Sequence, residues 1–238
     1  MITLILIKSI FKIKSEEKSL SEVSLEKLTE TMKTCIACQL HKDRTQVVPG
    51  IYGPKNGLCL IGEAPGYNED LKGQPFIGRS GKLLDKMLNN VGLVRGKNLS
   101  ILNVVKCRPT IDGSNRTPTA SELKFCGEKW LTKQLQILKP KLLVTLGGIS
   151  LKFFFPKASV TRSAGTIMVS TDGYPIFSTF HPAYLLRNGR PELYEKYESH
   201  FKEITDIMNK DSSTISEIAP LEPAKPKSQK KLTDFFEK

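Results

Sequence analysis

Short apolar runs alternate with helical patterns along most of the chain. The runs with the length and composition of buried strands are LCLIG (58–62), ILNVV (101–105), KLLVTLG (141–147), TIMVS (166–170) and PIFSTF (175–180). Helical apolar spacing covers residues at about 81–92, 121–138, 148–154 and 191–209. Thr119 and Glu122 form a capping-box pattern at the start of the second helix. This alternation predicts an α/β fold, a three-layer αβα sandwich with a central, mostly parallel sheet.

Unusual polar, Gly-rich or Pro-rich stretches follow the predicted strands. These stretches are GEAPG, NVVKCRP, LGG and FHPAYLLR. The carboxyl ends of parallel strands meet at one edge of a sheet, and ligands bind beyond that edge. The sequence therefore predicts a functional site there.

The chain divides into four predicted segments. They are an N-terminal arm, partly helical or disordered (1–30), a globular domain (31–209), a disordered linker (210–228) and a terminal peptide (229–238). Within the first segment and just beyond it, residues 15–34 have the apolar spacing of an amphipathic helix. The linker is rich in Ser, Pro and charge and has no aromatic residue.

The N-terminus does not have the pattern of a membrane segment or a secretory signal. Six apolar residues precede Lys8, far fewer than the roughly 20 that a membrane helix needs. Its lysines follow the apolar stretch, whereas a signal peptide places them before it. We therefore expect an intracellular protein without a membrane partner.

The charge of the chain indicates a polyanionic partner. The formal net charge is +12, and nucleic acid is the first candidate for such a partner. The composition is otherwise that of a soluble globular protein. Five cysteines without a secretory signal argue against a disulfide framework.

Four of the five cysteines are candidate metal ligands. Cys35 and Cys38 form a CxxC pair, and Cys107 and Cys126 follow far along the chain, whereas Cys59 lies in an apolar run and is expected in the core. Four thiolates complete either a zinc site or an iron–sulfur cluster, and the spacing alone fits both equally. A redox CxxC with two unrelated thiols is the other interpretation.

The motifs taken together resemble a known enzyme family. IGEAPGYNEDLKGQPFIGRSGKLLDKML is followed by NVVKCRP, NRTP, LGG and FHPAYLLR. This order closely resembles the family 4 uracil-DNA glycosylases, the iron–sulfur type from thermophiles, over about residues 31–205. The resemblance implies that the 31–209 domain flips deoxyuridine out of DNA, hydrolyses its N-glycosidic bond and leaves an abasic site. It also implies one [4Fe–4S] cluster, held by Cys35, Cys38, Cys107 and Cys126.

Three residues match the family's uracil-binding positions. Phe76 in GQPFIG matches the aromatic ring that stacks on the base. Asn103 matches the residue that reads the base edge, since a carboxamide can accept from uracil N3–H and donate to O4. His181 in FHPAY matches the hydrogen-bond donor to uracil O2, where negative charge develops.

The GEAPGYNED loop supplies three further expectations. Related families place a water-positioning aspartate in this loop, and Ala64 matches the small residue that family 4 has instead. Glu69 matches a carboxylate proposed to shape the pocket and reject the thymine methyl group. Glu63 is expected to contribute to the base pocket, largely through its backbone.

The resemblance also suggests residues that contact DNA. Leu185 and Leu186 are expected to act as an apolar wedge, with Arg187 near a phosphate. Arg108 and Arg116 are expected to reach phosphates from the loop between the two distant cysteines. The expected substrate is single- or double-stranded DNA, and the expected oligomeric state is a monomer.

The last segment has the spacing of a peptide that binds the sliding clamp (PCNA). Gln229, Leu232, Phe235 and Phe236 match the Q-x-x-aliphatic-x-x-aromatic-aromatic pattern. In such a peptide the apolar side chains enter a groove from one helical turn.

Other functions are compatible with parts of the sequence. A non-catalytic iron–sulfur module would bind DNA with the same basic loops but would produce no abasic site. A family 5 type of glycosylase would have a broader base specificity, against which Asn103 and Phe76 argue. A zinc hydrolase is disfavoured because His41 and His200 lie outside any ligand spacing.

Overall fold

A five-stranded sheet forms the centre of the computed structural model, which describes residues 25–210. Its strands are β1 (Leu58–Gly62), β2 (Leu99–Asn103), β5 (Leu142–Leu146), β6 (Thr166–Val169) and β7 (Pro175–Thr179). The strand order is β2-β1-β5-β7-β6. Four strands are parallel, and β6 pairs with β7 in the antiparallel direction. The predicted mostly parallel sheet is therefore confirmed.

Helices precede, connect and follow the strands. Helical residues at 25–33 form α1, and a 3₁₀ turn follows at Gln39–His41. The others are α2 (Tyr67–Lys72), α3 (Arg79–Asn90), α4 (Ala120–Cys126), α5 (Thr132–Leu138), α6 (Gly148–Phe154), α7 (Val160–Ser163), α8 (Pro182–Asn188) and α9 (Pro191–Asn209). A π-helical turn at Gly127–Leu131 joins α4 to α5. The predicted helix at 121–138 is thus one continuous helical segment.

The two faces of the sheet carry separate cores. Side chains alternate along β1, so that Leu58 and Leu60 enter one core while Cys59 and Ile61 enter the other. The first core is covered by α3, α8 and α9, and the second by α1, α4 and α5. This arrangement is the predicted three-layer αβα sandwich, with Cys59 in the core as expected.

Strand β2 ends earlier than its apolar run suggests. The run continues to Val105, but the backbone N–H groups of Val104 and Val105 donate to the carbonyls of Gly62 and Glu63, both at 3.0 Å. The chain therefore turns across the end of β1 directly after Asn103. This turn places Asn103 at the carboxyl edge of the sheet.

Two local features follow from turn and cap chemistry. Thr119 accepts from the Glu122 N–H at 3.2 Å and Glu122 accepts from the Thr119 N–H at 2.8 Å, which confirms the capping box. A small hairpin, β3 (Thr110–Ile111) and β4 (Ser114–Asn115), occupies the segment between Cys107 and Cys126.

Several predicted segments lie outside the described residues. Most of the N-terminal arm, the linker from residue 211 and the clamp-binding peptide with Gln229, Leu232, Phe235 and Phe236 belong to this group. Within residues 25–210, no helix is long and apolar enough to cross a membrane.

Candidate active site

A cleft of about 730 Å³ opens at the carboxyl edge of the sheet. The ends of β1, β2, β5 and β7 all contribute to its wall. It brings together eight of the residues that the sequence analysis singled out, namely Glu63, Ala64, Glu69, Phe76, Asn103, Arg116, His181 and Arg187. Arg108, Leu185 and Leu186 are absent from the lining.

Asn103 presents an unsatisfied acceptor to this cleft. Its side chain is only 2% exposed, and no donor among residues 25–210 reaches Oδ1. A buried polar atom without a partner costs about 1–3 kcal/mol. An atom left in this state at a cleft wall is suited to a hydrogen bond from a bound ligand.

Phe76 lies beside Asn103 because Gly62 leaves room for both. A Cβ on Gly62 would lie 2.3 Å from Asn103 Oδ1 and 2.5 Å from Phe76 Cζ. Phe76 has a φ of 55°, which is uncommon for a residue with a side chain. Arg95 stabilises this conformation by donating to the carbonyls of Pro75 and Phe76 at 2.9 and 3.0 Å. The ring position is therefore fixed by its surroundings.

His181 caps the N-terminus of α8 and lies close to Phe76. Its Nδ1 accepts from the Ala183 N–H at 3.1 Å, so the neutral imidazole carries its proton on Nε2. The ring centroids of His181 and Phe76 are 5.7 Å apart. Burial, assisted by the Arg187 charge and opposed by Glu69, lowers the pKa of His181 to about 4. His181 is thus a neutral donor near pH 7.

Most of the described sequence, including the residues of the cleft, matches a known superfamily. Residues 49–207 match the family model described as the uracil DNA glycosylase superfamily. The chain belongs to the uracil DNA glycosylase superfamily.

Within this superfamily, the chain is similar to curated type-4 uracil-DNA glycosylases. A type-4 uracil-DNA glycosylase of Archaeoglobus fulgidus is 38% identical over 200 residues, which cover 81% of this chain and 97% of that protein. The type-4 uracil-DNA glycosylase of Thermotoga maritima is 42% identical over a region that covers 72% of this chain and 88% of that protein. The type-4 uracil-DNA glycosylase of Sulfurisphaera tokodaii is 40% identical over 77% of this chain and 84% of that protein.

Glu69 holds two loops of the glycosylase cleft together. Its carboxylate accepts from the backbone N–H groups of Gly66 at 3.1 Å, Ile77 at 2.9 Å and Gly78 at 2.8 Å. Gly66 belongs to the loop after β1, and the other two follow Phe76. The carboxylate therefore acts on the shape of the cleft by fixing the position of these loops.

Glu63 and Ala64 begin the loop after β1. The Glu63 carbonyl accepts from the Val105 N–H at 3.0 Å, which ties this loop to the end of β2. Burial raises the pKa of the Glu63 carboxyl group, and the Arg187 charge opposes that shift. Ala64 contributes an uncharged wall to the cleft.

Arg108 does not occupy the predicted position near phosphate. It is 9% exposed, and its Nε and Nη2 donate to Asn115 Oδ1 at 2.5 Å and to the Gly113 carbonyl at 2.7 Å. Its guanidinium also lies 5.0 Å from the Tyr67 ring centroid. The DNA contact of Arg108 stays a prediction, and it would require the side chain to leave the hairpin and Tyr67, which engage it in this structure.

Arg116 lines the cleft, but its charge is already paired. Its guanidinium donates to both carboxylate oxygens of Glu122, at 2.6 and 2.7 Å, and its Nε donates to the Thr110 carbonyl at 3.1 Å. This pair lowers the pKa of Glu122 and raises that of Arg116. The predicted role of Arg116 as a free phosphate-binding group is therefore weakened.

The predicted leucine wedge is divided by the register of α8. Leu185 has no exposed surface and belongs to the core beneath α8, so a wedge role would require it to leave that core. Leu186 is 43% exposed, and the neighbouring Arg187 lines the cleft. The DNA contacts of these three residues stay predictions.

The four candidate ligand cysteines pack into one region behind the cleft. Cys107 and Cys126 are buried in the second core, and Cys35 and Cys38 pack against it. Burial raises the pKa of the Cys107 thiol to about 11 and that of Cys126 to about 12. Within residues 25–210, no three Cys, His, Asp or Glu side chains are arranged to hold a single metal ion.

Hydrogen-bond donors surround these sulfur atoms. Arg44 Nη1 donates to Cys107 Sγ at 3.1 Å, and the Lys106 backbone N–H donates to Cys126 Sγ at 3.3 Å. Donors of this kind stabilise thiolates bound to a metal group. The donor set and its surroundings therefore fit a sulfur-ligated cofactor.

Three residues of the site were not found from the sequence. Gly62 makes the space for the Asn103 and Phe76 side chains, Lys106 contacts the Asn103 carbonyl, and Tyr67 is an exposed ring at the cleft. A lysine directly after an apolar strand was the available signal for Lys106. Gly62 and Tyr67 belong to the IGEAPGYNED motif, but no separate signal in the sequence points to either residue.

Proposed function

We propose that this chain is a uracil-DNA glycosylase that hydrolyses the N-glycosidic bond of flipped deoxyuridine and leaves an abasic site. Its relatives of that name cover most of the chain, and the observation that carries the mechanism is the unpaired Oδ1 of Asn103. This acceptor lies next to an aromatic ring, Phe76, and a neutral imidazole, His181. These three groups have the chemistry needed to hold a departing uracil.

Asn103 is the residue that reads the base. Its Oδ1 accepts from uracil N3–H, and its Nδ2 donates to uracil O4. Cytosine has an acceptor at N3 and a donor at the adjacent position, so both contacts would be mismatched. Each mismatched buried group costs about 1–3 kcal/mol, which favours uracil. Phe76 stacks on the face of the same base.

His181 stabilises the leaving group. As the glycosidic bond breaks, negative charge builds on uracil O2, and the Nε2–H of the neutral imidazole donates to it. A donor aimed at charge that appears in the transition state contributes about 3–4 kcal/mol. The low pKa of His181 keeps it neutral, so that it donates a hydrogen bond without carrying a charge of its own.

The remaining residues of the loop after β1 shape the reaction. Ala64 puts no carboxylate at the position where related enzymes hold water, so catalysis depends mainly on stabilisation of the departing uracil anion. Glu69 keeps the Phe76 loop in place and thereby limits the space beside uracil C5, where thymine has its methyl group. Glu63 completes the pocket.

DNA contacts are assigned to the exposed side of α8. Flipping a base out of a duplex costs a few kcal/mol, and an apolar side chain inserted between bases offsets part of that cost. Leu186 is the exposed leucine of this helix, and Arg187 is a cation at the cleft. We expect the enzyme to be a monomer and its substrate to be single- or double-stranded DNA that contains uracil.

A [4Fe–4S] cluster held by Cys35, Cys38, Cys107 and Cys126 is the cofactor that we propose. Cys35 and Cys38 lie in the segment after α1, Cys107 lies in the segment after β2 and Cys126 ends α4. A bound cluster would therefore supply a covalent link between separate elements. Base hydrolysis transfers no electrons, so the link is structural. Anaerobically purified protein should contain four irons, absorb near 400 nm and lose its stability in the Cys107→Ala variant. A stable, active Cys107→Ala protein would contradict this assignment.

A sliding-clamp contact is proposed for residues 229–238, which lie outside the described residues. Deletion of this segment should abolish binding to the clamp and leave uracil release from a free oligonucleotide unchanged. The Phe235→Ala and Phe236→Ala double substitution is a smaller change that should give the same result. Loss of both clamp binding and uracil release would contradict the proposal that residues 229–238 act only as a clamp-binding peptide.

The proposed activity is tested with one labelled oligonucleotide. A single strand with one deoxyuridine is incubated with the protein and then cleaved with alkali at abasic sites. We expect one product at the position of uracil, and no product from the matched strand with thymidine. Binding of the strand without any cleavable product would instead indicate a non-catalytic DNA-binding module.

A further inference from the structure

Lys106 is a buried cation between the cysteine region and the cleft. Its side chain is 1% exposed, and no carboxylate within residues 25–210 forms an ion pair with it. Burial lowers the pKa of this ammonium group to about 8, and the nearby sulfur atoms of Cys126, Cys59 and Cys107 oppose that shift. Burial of an ammonium group is costly unless it is compensated and hydrogen-bonded. An apolar side chain would fill this space at a lower cost, so the charge or the donor has a function.

The contacts of Lys106 connect two sites that are otherwise separate. Its Nζ donates to the backbone carbonyl of Asn103 at 2.6 Å. Its own backbone N–H donates to Cys126 Sγ at 3.3 Å, and its carbonyl accepts from the Val48 N–H at 2.8 Å. The main chain of this residue therefore contacts the cysteine region, while its side chain contacts the residue that reads uracil.

Asn103 lies where the sheet ends. It is the last residue of β2, is paired with Gly62, and is followed by a turn across the end of β1. The Lys106 hydrogen bond fixes its carbonyl beyond the end of the strand. Because the carbonyl and the Cα–Cβ bond belong to the same residue, this contact restrains the main chain from which the carboxamide projects. Misplacement of a binding group by about 1 Å can lower a rate by about 100-fold.

We propose that Lys106 is a positioning residue for uracil recognition, whose ammonium group holds the Asn103 main chain through its hydrogen bond to the carbonyl. This proposal rests on the function proposed above for the cleft. Lys106 does not touch the base. Cys126, which the Lys106 backbone contacts, would hold the metal group as a thiolate, and its negative charge would then lie near the buried ammonium. Lys106 would connect the cofactor region with the base pocket.

Binding of an uncleavable substrate separates positioning from chemistry. Fluorescence anisotropy compares a single strand that contains 2′-fluoro-2′-deoxyuridine, which resists hydrolysis, with the matched thymidine strand. The variants are Lys106→Met, which removes donor and charge, and Lys106→Arg, which keeps both. Lys124→Met is the matched control, since it removes an exposed lysine from the helix that ends at Cys126. Iron content and thermal stability are measured on every sample.

The preference is the ratio of the affinities for the uracil strand and the thymidine strand. We expect this ratio to fall by about 10-fold or more in Lys106→Met, with iron content and stability close to those of the unmodified protein. Lys106→Arg should retain most of the preference, and Lys124→Met all of it. An unchanged preference in folded, iron-loaded Lys106→Met would overturn the proposal. Parallel loss of iron and preference in both Lys106 variants would also overturn it, because the role would then be structural. Failure of the proposed function is distinguishable, since the unmodified protein itself would release no uracil.

Discussion

Gly62→Ala is the substitution that tests the uracil pocket with the smallest chemical change. The added methyl group would lie 2.3 Å from Asn103 Oδ1 and 2.5 and 2.6 Å from two atoms of the Phe76 ring. Ordinary contact begins near 3.4 Å, so both side chains must move by about 1 Å. Gly62 does not have a positive φ, so backbone strain is not part of the effect. The perturbation therefore falls on the two side chains that are proposed to hold uracil.

The assay for Gly62→Ala is uracil release in a single turnover with enzyme in excess. We expect the rate to fall by about 100-fold, while added volume in a packed site lowers the free energy of unfolding by only about 1–3 kcal/mol. Gly127→Ala is the matched control, because its methyl group would lie 2.2 Å from the Phe153 ring, away from the cleft lining. It should have a similar cost in stability and a normal rate, with the cluster absorption as a check on the adjacent Cys126. A Gly62→Ala rate within threefold of the unmodified rate would refute the proposed pocket.

Further predictions concern His181 and Glu69, two other polar residues of the cleft. His181→Ala should lower the single-turnover rate by about 100- to 1,000-fold with little change in DNA affinity, and a loss below about tenfold would contradict the leaving-group role. Because the His181 pKa is about 4 when folded and about 6.5 when unfolded, the unfolded chain binds the proton first. The melting temperature should therefore fall as pH falls from about 6.5 to about 4, and it should fall less in His181→Ala. An equal dependence of melting temperature on pH in both proteins would contradict the low pKa of His181. Glu69→Gln should cost about 1–3 kcal/mol of stability and slow uracil release, because a carboxamide NH₂ cannot accept from the backbone. Glu203→Gln, an exposed control, should do neither.

The fold and the centre of the site could be predicted because local patterns determine them. The apolar runs became strands, and the polar stretches after them met at one edge because parallel strands end together. Asn103, Phe76 and His181 lie in the same cleft for that reason. The capping box at Thr119 was also predictable, since it depends on two side chains in one helical turn.

The environments of charged side chains could not be predicted in the same way. Arg108 was assigned to DNA because its sequence position does not reveal that Asn115, Gly113 and Tyr67 engage its guanidinium. Leu185 and Leu186 are adjacent in sequence, but the register of α8 buries the first and exposes the second. The burial of Lys106 likewise depends on elements far apart in the chain.

The proposed mechanism depends on one hydrogen bond, in which Asn103 Oδ1 accepts from the N3–H group of uracil. The most direct measurement is the single-turnover rate of free uracil release by the unmodified protein and by Asn103→Ala on the same deoxyuridine strand. Loss of the carboxamide leaves the polar edge of the buried base unpaired, at about 1–3 kcal/mol for each group, so we predict a rate at least about tenfold lower in the folded, iron-loaded variant. An Asn103→Ala protein that releases uracil as fast as the unmodified protein would show that Asn103 does not bind the base as proposed.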